Sequence, residues 1–161
     1  MMCEDRWLSQ IIGNLPEVLA EKPVNRLKDA FAGKTAVVAG AGPSLNAAAG
    51  ILREMRDKCV ILAAGRALKP LLKNGVTPDF VVSVDCDPEL LAQYEGVEIP
   101  PGVRLLTCMT GYPPIIERFR GRTVFFSTDV VDGVAAWLND LGLRPDPVKA
   151  GGTVAVSALD L

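Results

Sequence analysis

The chain contains no histidine. That absence excludes Ser-His-Asp and Cys-His nucleophiles, and every His-ligated metal site built from this chain alone. Cysteine is sparse, and Cys3, Cys59, Cys86 and Cys108 include no C-x-x-C pair. Zinc-knuckle and thioredoxin-type spacings are therefore excluded. Cys59 and Cys86 lie in or beside apolar runs and are expected as small core residues. A reduced, cytoplasmic protein is the simplest account. Neither charge sign dominates: 17 Lys and Arg stand against 19 Asp and Glu, a net charge of −2. Such a balance has no electrostatic footprint for nucleic acid or an anionic membrane, so neither is expected as a partner. No apolar run approaches the length of a membrane span, and the acidic start Met1–Trp7 has no signal-peptide core. What is present is a packed-domain composition, 49% hydrophobic and 22% charged over 161 residues. That length suits one domain whose core needs no disulfide or metal staple.

Two regions are distinguished by pattern. Residues 1–32 read as a helical extension: Trp7, Ile11, Leu15 and Val18 recur at helical spacing, and Pro16 and Pro23 are expected to break the run into two or three short helices. From residue 33 to 161 short apolar runs alternate with helical stretches. The runs are 35–39, 60–64, 80–84, 103–107 and 123–126, and none alternates polar with apolar. Strands without alternation are buried on both faces, and helices between them imply parallel crossovers. The expected fold is a doubly wound, mostly parallel, Rossmann-like α/β sheet with an N-terminal helical extension. The helix expected over 153–161 still shows an apolar face at Leu161, so a C-terminally incomplete domain is expected.

Three corners at the carboxyl ends of strands carry the candidate chemistry. The first is Gly40-Ala41-Gly42-Pro43-Ser44-Leu45, between the first strand of this region and its helix. Glycines there let a ligand approach the backbone, and the helix N-terminus offers N–H groups to phosphate, with Ser44 as the expected N-cap. It is not the G-x-G-x-x-G fingerprint, because Leu45 fills the small-residue position; Gly33-Lys34-Thr35 precedes a strand and is not a P-loop. The second corner is Asp85-Cys86-Asp87-Pro88. Its two acids are candidates for a divalent metal bridging phosphates, Asp85 alternatively for a general base, and Asp87 for a helix cap. The third is Gly151-Gly152-Thr153, a second phosphate or carboxylate cradle at a helix start, or a flexible connection with Thr153 as an ordinary cap. Arg66 follows the second strand as a candidate ligand contact. Asp79, at the other end of its strand, is expected as a turn residue.

The segments AVVAGAGPSLN (36–46), ILAAGRALKPLLKNGVTPDFVVSVDCDPE (61–89) and AGGTVAVSAL (150–159) resemble the bacterial motility-associated factor (Maf) proteins and the MptE-like 6-hydroxymethylpterin diphosphokinases, relatives of CMP-sialic-acid-dependent sialyltransferases. The resemblance implies a transferase. On the leading reading it moves a nonulosonic acid from a CMP donor to flagellin or another protein acceptor, with no cofactor. Gly40, Gly42, Pro43 and Ser44 would then cradle phosphate and ribose. Gly151, Gly152 and Thr153 would meet the nucleotide from the far side, and Asp85 would face the reactive end. The alternative is pyrophosphate transfer from ATP to a pterin alcohol with Mg²⁺ on Asp85 and Asp87. A third possibility is a nucleotide-binding fragment without catalysis. The chain departs from the family pattern at Gly65-Arg66, where an acidic or polar residue is usual.

Overall fold

The structure is a computed structural model describing residues 3–127, 134–140, 142, 148 and 153–160. Helix α1 (Cys3–Ala20) leads into a two-residue strand β1 (Lys22–Pro23) and a 3-10 turn at Val24–Leu27. Then follow β2 (Thr35–Ala39), α2 (Ser44–Glu54), β3 (Cys59–Ala64), α3 (Leu68–Lys73), β4 (Phe80–Ser83), a 3-10 helix at Pro88–Tyr94, β5 (Arg104–Cys108), α4 (Pro113–Arg118) and β6 (Thr123–Phe126). Helices α5 (Val134–Asp140) and α6 (Val154–Asp160) complete the described elements.

All six described strands are parallel, in the order β1-β6-β5-β4-β3-β2. The α/β class and the helix-covered parallel sheet are as the alternation requires. The order adds how the sheet is wound. Strands β2 to β6 advance one position at a time, so their crossovers share one face. There Ile61, Val81, Leu105 and Phe125 pack with Leu45 and Leu52 of α2, Leu71 of α3 and Ile115 of α4. The other face carries Val60, Leu62, Phe80, Leu106 and Phe126, covered by Ala158 of α6 and flanked by Val24 and Leu27. Phe31 meets Phe80 edge-to-face at 5.7 Å.

The N-terminal region departs from expectation. Pro16 lies inside a single 18-residue helix rather than ending one. Ile11 and Val18 of that helix enter the main core, and β1 pairs with β6. Residues before 33 therefore lend a core helix and a strand to the sheet that follows. Turn chemistry behaves as the sequence implies: Asn74 ends α3 and Gly75 takes φ +72°, with Gly75 N donating to Leu72 O at 3.0 Å and Val76 N to Leu71 O at 2.9 Å. This double closure satisfies two orphan helix carbonyls, and its left-handed residue favours glycine.

Candidate functional site

The carboxyl ends of β2, β3 and β4 lie side by side. Neighbouring strands are about 4.8 Å apart, so the Gly40 corner and the Asp85 corner are separated by roughly 10 Å, with Gly65-Arg66 between them.

At the first corner, Gly40 through Ser44 are all exposed. The cap position of α2 is Pro43, at φ −56° and ψ −32°, and no side chain bonds the first turn. Ser44 is the first helical residue, not the cap, because the turn closes through Leu45 N donating to Gly42 O at 3.0 Å. The first turn carries no acidic residue. The amino end of α2 thus keeps its partial positive charge unmatched by any side chain among the described residues.

Glycines in this fold have two distinct causes. A Cβ on Gly65 would lie 2.9 Å from Gln93 Oε1 and 3.0 Å from Tyr94 Oη; on Gly111 it would lie 2.5 Å from Thr107 Oγ1. Those two are glycine because the fold leaves no room. Among the described residues Gly40 has nothing within 4 Å of its Cβ position, Gly42 only Ser44 Oγ at 3.9 Å, and neither has positive φ. Neither the backbone nor the packing of the described residues requires glycine at 40 or 42, although glycine costs conformational entropy.

At the second corner Asp85 is exposed. Asp87 is the cap of the following 3-10 helix, its Oδ1 accepting from Glu89 N at 3.0 Å, as expected. Asp87 keeps one carboxylate oxygen for other partners, Asp85 both. Magnesium is commonly held by one or two carboxylates plus substrate phosphates, so the pair fits such an ion in that limited sense. Among the described residues no three His, Cys, Asp or Glu side chains gather in a metal-sized cluster. Arg66 is exposed and makes no ion pair among the described residues.

Helix α1 holds the second corner and the β5 corner from outside. Trp7, Gln10 and Asn14 share one helix face by their spacing. Trp7 Nε1 donates to Cys86 Sγ at 3.2 Å, and Gln10 Nε2 donates to Cys86 O at 2.9 Å. Asn14 Nδ2 donates to both Met109 O and Gly111 O at 2.8 Å. Cys86 is therefore a half-buried acceptor next to Asp85, not the core residue expected from its apolar neighbours. The β5 corner is bound to β4 as well: Thr107 Oγ1 donates to Ser83 O at 2.7 Å and Cys108 Sγ to Val84 O at 3.1 Å. Burial pushes the Cys108 thiol up to about 11, Thr110 partly offsetting it and the nearby Asp85 charge adding to it. Burial likewise pushes the Tyr94 phenol up to about 12, with Ser83 the offsetting neighbour. Ser83 approaches without good hydrogen-bond geometry: Tyr94 Oη and Gln10 Oε1 are the buried side-chain oxygens left unpartnered among the described residues.

The third corner is partly described. Gly151 and Gly152 lie outside the described residues. Thr153 is exposed, and its Oγ1 accepts from Val156 N at 3.3 Å, an ordinary cap for α6. The last turn of α6, Ala158 and Leu159, shares a groove with Ala36, Val60 and Phe80 in the first halves of β2, β3 and β4. Asp79 sits at the edge of the sheet opposite the first two corners. It is more than a turn residue: its carboxylate takes Arg56 Nη2 at 2.7 Å, Arg56 Nη1 at 3.1 Å and Ile61 N at 2.8 Å.

The profile of the family described as 6-hydroxymethylpterin diphosphokinase MptE-like matches residues 9–161. The chain belongs to the MptE-like family. This MptE-like chain is 38% identical over 88 residues, 53% of its length, to a 6-hydroxymethyl-7,8-dihydropterin pyrophosphokinase of Methanocaldococcus jannaschii, and the match spans 36% of that relative. It is 28% identical over 131 residues, 80% of its length, to an uncharacterized protein of Treponema pallidum, of which 22% is spanned. Among solved structures, a Maf glycosyltransferase from Magnetospirillum magneticum AMB-1 has the same fold, with a TM-score of 0.64 and 22% identity over 81% of this chain and 22% of that one. The chain thus spans about a third or less of each relative. The family match begins inside α1, in keeping with the structural part that helix plays. Sequence reasoning missed Gln10, Asn14 and Tyr94. The available signal was two polar residues set into the apolar stripe of α1.

Proposed function

We propose that this chain is the nucleotide-binding part of a transferase that moves a nonulosonic acid from a CMP donor to a hydroxyl of a protein acceptor such as flagellin. The observation that carries the reading is the pair Gly40 and Gly42, glycines that the geometry of the described residues does not need, at a helix start that no described side chain caps. A ligand lying against the backbone explains them, and an anionic phosphate suits the free N–H groups of α2. Gly40, Gly42, Pro43 and Ser44 take the CMP phosphate and ribose, and Arg66 faces the donor carboxylate. Gly151, Gly152 and Thr153 approach the nucleotide from the far side, Thr153 through its hydroxyl proton. In the transfer, the bond from the sugar anomeric carbon to the phosphate oxygen breaks and that carbon bonds the acceptor oxygen. CMP leaves as the anion, and the acceptor proton passes to Asp85. Backbone donors at α2 stabilise the charge that develops on the departing phosphate. The site works in the cytoplasm and needs no cofactor on this reading.

The similarity to the pyrophosphokinase favours a second reading, transfer of pyrophosphate from ATP to a pterin hydroxymethyl group. Asp85 and the free oxygen of Asp87 would then hold Mg²⁺ bound to the ATP phosphates, and the ion would neutralise charge on the transferred group.

Calorimetry with CMP, CDP, CTP and ATP, with and without EDTA, tests both. Cytidine preference indifferent to EDTA is the expected result; adenine preference abolished by EDTA supports the kinase. Binding of neither nucleotide refutes both. Among the described residues nothing crowds a Cβ at Gly42, so Gly42→Val should fold normally and bind at least tenfold more weakly. Unchanged binding by a folded Gly42→Val protein removes the corner from the site.

A further inference from the structure

The amino edge of the sheet, opposite the corners just described, holds a cavity of about 320 Å³. It opens between the segment after α1 and the starts of β5 and β6, and its walls include Arg26, Arg104 and Arg122 with Glu21, Leu27 and Val124. Three guanidiniums and one carboxylate leave a local charge of 3 − 1 = +2, in a chain whose overall charge is −2. Converging like charges repel unless an anion offsets them.

The three arginines differ in how they are held. Arg122 is half-buried and fixed by the chain: Nη1 donates to Pro100 O at 2.9 Å and Val103 O at 3.2 Å, Nη2 donates to Arg118 O at 3.3 Å, and the guanidinium lies 5.7 Å from the Phe119 ring centre. Its Nε–H has no partner among the described residues. Arg26 and Arg104 are exposed and make no ion pair there. Arg122 commits its Nη1 and Nη2 to backbone carbonyls, whereas Arg26 and Arg104 bring exposed forks without an ion pair among the described residues to the same concave space, and such forks meet phosphate oxygens in bidentate fashion. The volume falls at the small end of ligand pockets and suits a small molecule rather than a chain or a membrane. The carboxylate of Glu21 offers an acceptor to a hydroxyl on the same ligand.

We propose that this cavity binds a small oligophosphate, a molecule bearing at least two linked phosphates. The site is separate from the carboxyl-edge corners, since strands of four to six residues at about 3.3 Å each put roughly 13–20 Å between the two edges. It does not depend on the transferase reading.

The test titrates the full chain with inorganic tripolyphosphate, following backbone amide shifts by NMR. Saturable shifts at Gly121, Thr123 and Val124 are expected. The double variant Arg26→Ala/Arg104→Ala changes two exposed side chains and should stay folded. It should weaken those shifts' apparent affinity at least tenfold, and raising salt should weaken it further. Shifts confined to residues 40–46, no saturable shift at 121–124, or equal affinity in the double variant overturns the proposal.

Discussion

The two edges of the sheet solve the same problem in opposite ways. At the amino edge of β3 to β5 the chain satisfies itself: Asp79 takes both Arg56 nitrogens and the Ile61 N–H, while Arg104 N bonds Asp79 O at 3.0 Å. At the carboxyl edge the loops stay open. Gly40, Gly42, Arg66 and Asp85 face solvent, the first turn of α2 has no side-chain cap, and order is imposed from outside by α1. Ligands in open parallel sheets bind outside the carboxyl ends of strands. The contrast shows how the β2 to β4 part of the sheet separates the residues that hold it from those left free to bind, the arginine-lined cavity at the starts of β5 and β6 being the amino edge's exception.

Replacing Asn14 by Leu would test the external clamp most severely. It strands two carbonyls beneath a buried side chain, so stability should fall by about 2–4 kcal/mol. Denaturant melts measure the loss; a change under about 0.5 kcal/mol would mean that the corner holds itself.

Alkali should loosen the carboxyl edge next. The Cys108 thiol is raised from 9.0 to about 11, so between those values the unfolded chain gives up a proton that the folded chain keeps. This contribution is whole below pH 9.0 and gone once the pH passes about 11. The loss is roughly 3 kcal/mol at about 1.4 kcal/mol per pH unit. Cys108→Ala should flatten the stability profile over that interval.

A matched pair of acid replacements addresses the contrast directly. Asp79→Ala should cost about 2 kcal/mol, since its carboxylate is half-buried and triply bonded. Asp85→Ala should leave stability within about 0.5 kcal/mol while abolishing transfer. Equal melting losses in the two variants would erase the division of labour between the edges.

The smallest effect is expected at Tyr94. Its ring fills the core against Phe119 at 5.9 Å, but its hydroxyl has no partner among the described residues. Tyr94→Phe should therefore be neutral or up to about 1 kcal/mol stabilising. A clear loss of stability would reveal a bound water or a working bond to Ser83.

Much of the fold was legible because buried parallel strands are marked by uninterrupted apolar runs. Residues 35–39 and 123–126 form β2 and β6 with the expected bounds. The Asp87 cap was equally plain, since turn chemistry is local. Pro16 misled because a proline breaks an isolated helix, whereas Ile11 and Val18 bury one face of α1 on both sides of the break and hold it. The clamp by Trp7, Gln10 and Asn14 was hidden for another reason. Its partners lie 76 to 97 residues away, and backbone carbonyls leave no mark in a sequence.

The sequence by itself determined the alternation of strand and helix and the placement of glycines, acids and caps at strand ends, because propensity and hydrophobic period act over a few residues. Only the tertiary structure decided which glycines the fold requires and which it leaves for something else. It alone brought the Asp85 corner under α1 and three distant arginines around one cavity. Those outcomes depend on packing and hydrogen bonds between segments far apart in the chain, whose geometry exists only once the sheet has formed.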